Sequence, residues 1–348
     1  MDKTYRIIVI GGNWHGSDCL GLARGFREIG HSVELIGLDE YFPHTDKSVY
    51  SRIINRVMRT FYIQQFNRYI ARALEIIKPD LVIAFKGSWV QIETFENIKS
   101  SGAWLCNFYP DVSFMCHKGV NINAFKYYEH IFTTKTFGIK DFEEHLGLKN
   151  VSFLPHGYDP AVHRPLNLNL KDQQSIDISF IGTWSPHKEK LLTALVSSLP
   201  NYSLRIWGNQ WEKSSSSNLK NAIAGHETTG DFYALAIAKS KINLGLLSEK
   251  RTGASMGDQI TSRTFHIPAC EGFLLHERTH EVLEYFVEDG EMACFASAKE
   301  LADKVDYYLK NTEKRQQVAK AGYERCIKEN SLAERARAII NHYENKSL

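Results

Sequence analysis

The residues from Asp258 to Leu275, DQITSRTFHIPACEGFLL, carry the side chains best suited to chemistry in this chain of 348 residues. A polar, Gly-bearing loop (TGASMGD) leads into a short helix, and the helix into an apolar strand taken as central to its sheet. Thr261 or Ser262 is placed to cap the helix, because a hydroxyl there can accept from one of its unpaired N–H groups. Arg263 falls in the first turn, where a cation opposes the helix dipole unless an anion lies between them. N–H groups, hydroxyls and a guanidinium converging on one point make a phosphate site. Asp258 and His266 stand eight apart, one before the helix and one within it. That spacing suits them to grip the two ends of a ligand whose phosphates rest on the helix start.

The elements that position these groups read as two α/β halves. Arg6–Ile10 is a short buried strand, followed at once by Gly11-Gly12-Asn13-Trp14-His15-Gly16. Ser17 can cap the next helix, whose apolar face runs through Leu20, Ala23, Phe26 and Ile29, and Val33–Gly37 returns as a strand. This unit opens a doubly wound domain, although its loop lacks the G-x-G-x-x-G of a dinucleotide site. Asp39 or Glu40 lies where a ribose-binding acid would sit, a boundary at which acids are common. His15 is the loop's proton acceptor, either a general base or a residue hydrogen-bonded locally. Further strands at Leu81–Phe85, Trp104–Phe108 and His130–Thr134 each deliver a loop to the same end. Lys86-Gly87-Ser88-Trp89 follows the first. Asp111 follows the second, either to orient an acceptor hydroxyl or as part of a Pro-Asp turn.

Between them, Arg52–Lys78 reads as one long helix. Six basic residues face a single acid, Glu75, and Ile53, Val57, Phe61, Ile70, Leu74 and Ile77 are taken as its apolar stripe. Such a helix either meets an anionic membrane surface or lipid-linked acceptor, or presents a solvated basic face over an ordinary core.

The texture changes at Val151–Pro165, with three Pro and a Gly in eleven residues. The organisation expected is a domain over 1–160, a linker over 161–175, a second domain over 176–330, and a last helix over 331–348. Ile176–Ile181 starts the second sheet. Gly182, Thr183 and Lys188 follow at its C-terminal end, as a second phosphate-friendly locus or an exposed capping loop. Tyr202–Trp207 is the next strand, ending in Trp207-Gly208-Asn209.

The Asp258 stretch also resembles the donor-site segment of GT-B glycosyltransferases, especially the CgeB-like (spore-maturation-type) group. Retaining members place a Glu, seven residues, a second Glu and then a small-residue run. Here the frame is Asp258, seven residues, His266, then Ile267-Pro268-Ala269-Cys270-Glu271-Gly272. Spacing and small run match, while both acidic positions depart and Glu271 replaces Gly. Pro155-His156-Gly157-Tyr158-Asp159 resembles the family's Pro-x-Gly-x-Asp entry into the interdomain connection. The resemblance implies an α/β GT-B architecture, two Rossmann-like doubly wound domains facing across a cleft, with the last helix crossing back onto the first.

It implies transfer of a sugar from a nucleotide-diphosphate donor, with no metal and no cofactor and with retention slightly favoured. Asp258 would hold the sugar and His266 the ribose. Gly182, Thr183, Lys188, Thr261, Ser262 and Arg263 would face the diphosphate, and Trp207 and Gly208 would lie near the nucleoside. Gly12, Asn13, Trp14, His15 and Asp111 would line the acceptor side. The acceptor expected is a glycan, lipid-linked or protein acceptor, such as a surface-polysaccharide precursor. Rival readings are a nucleotide-sugar 2-epimerase, a non-catalytic nucleotide-sugar-binding protein, and a nicotinamide oxidoreductase, the last disfavoured by the loop sequence.

Composition fits this picture. Hydrophobic residues at 43% and charged residues at 24% are ordinary globular values. A net charge of +2 gives no case for nucleic acid as a partner. No apolar run is long enough for a signal peptide or a membrane span. Six scattered Cys without C-x-x-C argue against zinc or redox chemistry. The expected place is the cytoplasm, either free in it or peripheral to the membrane's inner face through the basic helix.

Overall fold

The computed structural model describes residues 3–42, 49–117, 119–167 and 175–346. Residues 168–174 of the expected linker lie outside this range. The chain divides into two compact units. Unit 1 comprises Met1–Pro155, Arg251–Met256 and Leu332–Leu348, and unit 2 comprises His156–Lys250 and Gly257–Ser331.

In unit 1 the elements run β1 (Arg6–Gly11), α1 (Asp18–Glu28), β2 (Ser32–Gly37), α2 (Val49–Ile77), β3 (Leu81–Phe85), α3 (Ile92–Ser100), β4 (Trp104–Tyr109), β5 (His130–Thr133), α4 (Gly138–Leu146) and β6 (Val151–Phe153). All pairings are parallel, in the order β2-β1-β3-β4-β5-β6. Helices must therefore cover both faces, which is why β1 and β3 are continuous apolar runs. Ile7, Ile8, Val9, Leu81, Val82 and Ile83 are completely buried. Ser17 caps α1, its Oγ accepting from the N–H groups of Cys19 and Leu20.

Unit 2 continues with β7 (Ile176–Ile181), α5 (Pro186–Ser198), β8 (Leu204–Trp207), α6 (Asp231–Ala238), β9 (Ser240–Gly245), α7 (Arg263–Ala269), β10 (Leu274–Glu277), α8 (His280–Tyr285), β11 (Ala293–Phe295), α9 (Ala298–Lys310) and α10 (Thr312–Glu329). Its parallel sheet has the order β11-β10-β9-β7-β8. The centre is β9, so the strand after α7 is one place off the centre, a correction to the expectation. Strand order reverses between β1 and β3 in unit 1, and between β7 and β9 in unit 2. Ligands of open α/β sheets bind at the carboxyl ends of strands beside such a reversal.

The last helix, α11 (Leu332–Lys346), packs on α1 within unit 1. The crossing is close because Gly25 has no side chain: a Cβ there would lie 2.7 Å from the Leu332 carbonyl oxygen. Farther along α11, His342 meets His130 with ring centroids 3.8 Å apart. Burial, reinforced by the neighbouring imidazole, lowers the His130 pKa to about 3, and burial lowers that of His342 as well. The His130 ring is therefore neutral when folded and His342 holds a proton less readily, whereas an unfolded His takes up a proton near pH 6.5. Their contribution is complete above about pH 6.5 and is lost as pH falls below it, because the unfolded chain then binds the extra protons. Unit 1 should lose stability between pH 7 and pH 5, and His130→Gln, which keeps a partner for Ser152, should flatten that loss in a melting series.

One expectation about α2 is corrected. Ile70 and Leu74 are buried, while Ile53, Val57 and Phe61 are exposed. Seventeen residues separate Ile53 from Ile70, and at 100° per residue this turns them onto different faces of the helix.

Candidate functional site

The donor-type residues assemble at the reversal point of unit 2. Gly182 directly follows β7 and Gly208 directly follows β8, and the two glycines touch. A Cβ on Gly208, whose φ is 141°, would stand 2.1 Å from the Gly182 carbonyl oxygen. A Cβ on Gly182 would meet the Phe180 ring and lie 2.8 Å from Nη1 of Arg263. The missing side chains thus let Arg263 reach the strand ends. Its Nη1 donates to the Ile181 carbonyl (3.2 Å) and its Nη2 to the Leu246 carbonyl (2.7 Å). Burial lowers its pKa from the ordinary value, and a guanidinium in a protein keeps its proton all the same. Nε of Arg263 is buried without a hydrogen-bond partner among the described residues, and so is the hydroxyl of Thr261. Two such atoms two residues apart mark a place where a ligand would complete the bonding.

The helix start differs from expectation. α7 is only seven residues long, and Ser262 at its N-cap makes no side-chain capping bond. Instead Oγ1 of Thr264 accepts from the Thr261 N–H (3.0 Å), and the Ser262 carbonyl accepts from Phe265 and His266. The helix positions Arg263 and Thr261 more than it offers bare N–H groups.

Asp258 is buried, its Oδ2 3.3 Å from the Ser248 N–H. The Ser248 hydroxyl accepts from Nζ of Lys188, which also donates to the Thr183 carbonyl, both at 3.2 Å. Lys188 and Asp258 are thereby tied to the same residue. Ser185 caps α5, and Glu249 accepts from the His187 N–H (2.8 Å). Pro186 has no N–H to offer. The first turn of α5 is therefore satisfied by the protein's own carboxylate, so this expected phosphate locus reduces to the Lys188 side chain and the exposed loop at Thr183. Burial would raise the Glu249 pKa, but the bonds from His187 and Ser185 and the Lys188 charge outweigh it and hold the carboxyl ionised. Sequence reasoning missed Glu249 and also Glu277, which bonds Nε2 of His187 (2.7 Å) and the Leu247 N–H. Their signal was position, just beyond β9 and at the end of β10.

His266 is 7% exposed. Its Nε2 lies 3.0 Å from the Gly157 carbonyl, and its ring stacks on His163 with centroids 3.6 Å apart. These contacts pin α7 to Gly157 and His163, so a ribose would have to reach a ring already gripped from one face. His266→Ala should show which role dominates. If it packs only, the melting temperature falls and affinity for nucleoside diphosphate stays at the wild-type level. If it holds the ribose, affinity falls for nucleoside diphosphate and nucleotide sugar alike.

In unit 1 the acceptor-type residues flank the other reversal point. Asn13 is held by Asp39 and Glu40, its N–H on one carboxylate and its Nδ2 on the other, each at 2.7 Å. Those acids, considered for a ribose, therefore brace the glycine loop. Trp14 and His15 are exposed, and the Trp14 ring lies over Gly12. After β4, the Asp111 carboxylate meets Nζ of Lys86 at 2.6 Å and Nε2 of His117 at 3.1 Å. Burial alone would raise its pKa, but the His117 bond and the Lys86 charge hold the carboxyl well below the usual range. Neither partner was foreseen. Lys86 and Trp89 sit at φ 67° and 62°, a conformation unfavourable for non-glycine residues that concentrates at functional loops.

Residues 187–341 match the family described as glycosyl transferase-like. Comparison with curated proteins gives no match. Among solved structures, a glycosyltransferase from Rickettsia africae is similar at 13% identity and a TM-score of 0.65, covering 99% of this chain and 98% of its own. Sucrose-phosphate synthase from Thermosynechococcus elongatus gives 11% identity and 0.67, covering 98% of both chains. Anabaena HepE in complex with UDP-glucose gives 10% and 0.64, covering 98% of this chain and all of its own. The chain thus has the fold of GT-B glycosyltransferases along nearly its whole length, with a glycosyl transferase-like family match over residues 187–341.

Proposed function

We propose that this protein is a glycosyltransferase that moves a sugar from a nucleoside-diphosphate donor to an acceptor bound by unit 1. The observation that carries the reading is the pair of unpartnered buried atoms, the Thr261 hydroxyl and Nε of Arg263, at the strand reversal of unit 2. A diphosphate supplies the acceptors both lack. The HepE complex with UDP-glucose favours a uridine nucleotide as the donor's leaving group. The Asp258 frame and the small-residue run support the spore-maturation-type group.

In the reaction the bond from the sugar's anomeric carbon to the diphosphate breaks, and a bond to the acceptor oxygen forms. The acceptor proton passes to the departing phosphate or to a nearby base. Arg263 and Lys188 stabilise the charge that grows on the diphosphate, already in place before the reaction begins. Asp258 accepts hydrogen bonds from hydroxyls of the transferred sugar. Asp111, kept ionised by Lys86 and His117, orients the acceptor hydroxyl, and His15 assists its binding rather than acting as a general base, which a retaining mechanism does not require. The acceptor is a glycan or lipid-linked precursor of a surface polysaccharide.

Incubation with UDP-glucose alone tests the class of reaction. Slow release of UDP and free glucose is expected. Appearance of an isomeric nucleotide sugar would indicate an epimerase, and indefinite survival of every nucleotide sugar offered would indicate a binding protein.

A further inference from the structure

Eight of the seventeen large hydrophobic side chains exposed among the described residues belong to α2. Toward its C-terminal end the helix is ordinary, with Phe66, Ile70, Ala73 and Leu74 buried in the core of unit 1. Its first turns are different. Val49, Ile53, Val57 and Phe61 recur every four residues and are 58%, 56%, 74% and 49% exposed, with Tyr50 and Ile54 beside them. This stripe lies roughly 130° around the helix from the buried row. Arg68 and Arg72, both exposed, continue the same arc, and exposed Arg56 flanks it, whereas Arg59 turns to the other side and lays its guanidinium over the Trp89 ring.

The charge is concentrated here. Five arginines against one glutamate give α2 a charge of +4, twice that of the whole chain. No helix among the described residues is long and apolar enough to cross a membrane. Aliphatic side chains on one arc, with guanidinium groups along it and beside it, suit an interface with hydrocarbon below and phosphate headgroups above. Arginine binds phosphate through its planar fork, and a polybasic segment is drawn to an anionic leaflet.

We propose that the exposed stripe Val49–Phe61, with Arg56, Arg68 and Arg72, is a docking surface for an anionic lipid bilayer. The surface does not rest on the glycosyltransferase reading, because its residues lie outside both reversal points.

The full chain is sedimented with phosphatidylcholine vesicles that contain phosphatidylglycerol, and with vesicles of phosphatidylcholine alone. Binding is expected to the first only, weakening as salt rises. Ile53→Asp with Val57→Asp should reduce it by about tenfold or more while leaving the melting temperature unchanged, since both side chains are exposed. Arg68→Gln with Arg72→Gln should reduce it and shallow the salt dependence. Failure of the wild type to sediment with anionic vesicles would overturn the proposal, as would equal binding by the Asp variant. A wild-type dimer that this variant converts to monomers, with no vesicle binding, would assign the stripe to a second copy of the chain instead.

Discussion

Asp258→Asn should lower the rate of sugar transfer by about 10²–10³-fold while leaving affinity for free nucleoside diphosphate near the wild-type value. The substitution is nearly isosteric, and the Asn carbonyl oxygen can still accept from the Ser248 N–H that now meets Oδ2 of Asp258. What disappears is the negative charge and one acceptor. A carboxylate placed beside the donor sugar acts on the positive charge that gathers on the sugar ring as its bond to the diphosphate lengthens. The ground state of free diphosphate has no such ring, so its binding is indifferent to the change. Steady-state kinetics with a nucleotide sugar, beside calorimetric titration with the diphosphate, separates the two effects. Equal weakening of both ligands would mean that Asp258 acts through Ser248 and Lys188 on the shape of the loop rather than on the sugar.

The second large effect is on stability. Gly208→Ala should destabilise unit 2 by about 3 kcal/mol or more, because it adds a steric clash to an unfavourable backbone conformation. The clash is with backbone, since the Gly182 carbonyl oxygen would lie 2.1 Å from the new Cβ. No rotamer change relieves it. At roughly 2–4 °C per kcal/mol for a unit of this size, the melting temperature should fall by about 6–12 °C. Gly225→Ala is the control. Its φ is 80°, but nothing lies within 4 Å of the Cβ position, so only the conformational term of about 1 kcal/mol applies. Equal losses in the two variants would show that the contact between Gly182 and Gly208 does not hold the strand ends together.

Much of the framework was legible because its signals are local. The all-apolar strand Leu81–Phe85 and the strand Ile176–Ile181 appear at the residues expected, and Ser17 caps the helix it precedes. The elements missed lack such signals. α10 buries only Arg315, Val318, Gly322 and Cys326, a thin stripe in an otherwise charged helix, so no apolar period announces it. β11 is three residues long, too short to show alternation or a run. In α2 the apolar face changes partway along, and a single stripe drawn through it joined residues on different sides.

The site was legible to a lesser degree, for a different reason. Spacing along the chain brought Asp258, Thr261 and Arg263 forward, but side-chain partners come from strands distant in sequence. Glu249 on the first turn of α5, and Lys86 with His117 on Asp111, depend on strand order, which no local pattern encodes. His266 shows the opposite limit. Its spacing suggests a ligand contact, and the fold gives it Gly157 and His163 as neighbours.

The central claim is that unit 2 binds a nucleoside diphosphate through Arg263 and Thr261. The most direct measurement is the melting temperature of the full chain with uridine, guanosine, adenosine and thymidine diphosphates, each beside its nucleoside. One diphosphate at about 100 times its dissociation constant should stabilise the protein by about 2.7 kcal/mol, and its nucleoside should give far less. Arg263→Lys should lose most of the diphosphate shift and keep the nucleoside shift, because an ammonium cannot hold the Ile181 and Leu246 carbonyls and still present a donor at the place of Nε. A wild-type protein that no diphosphate stabilises, or an Arg263→Lys protein with the full diphosphate shift, would contradict the account.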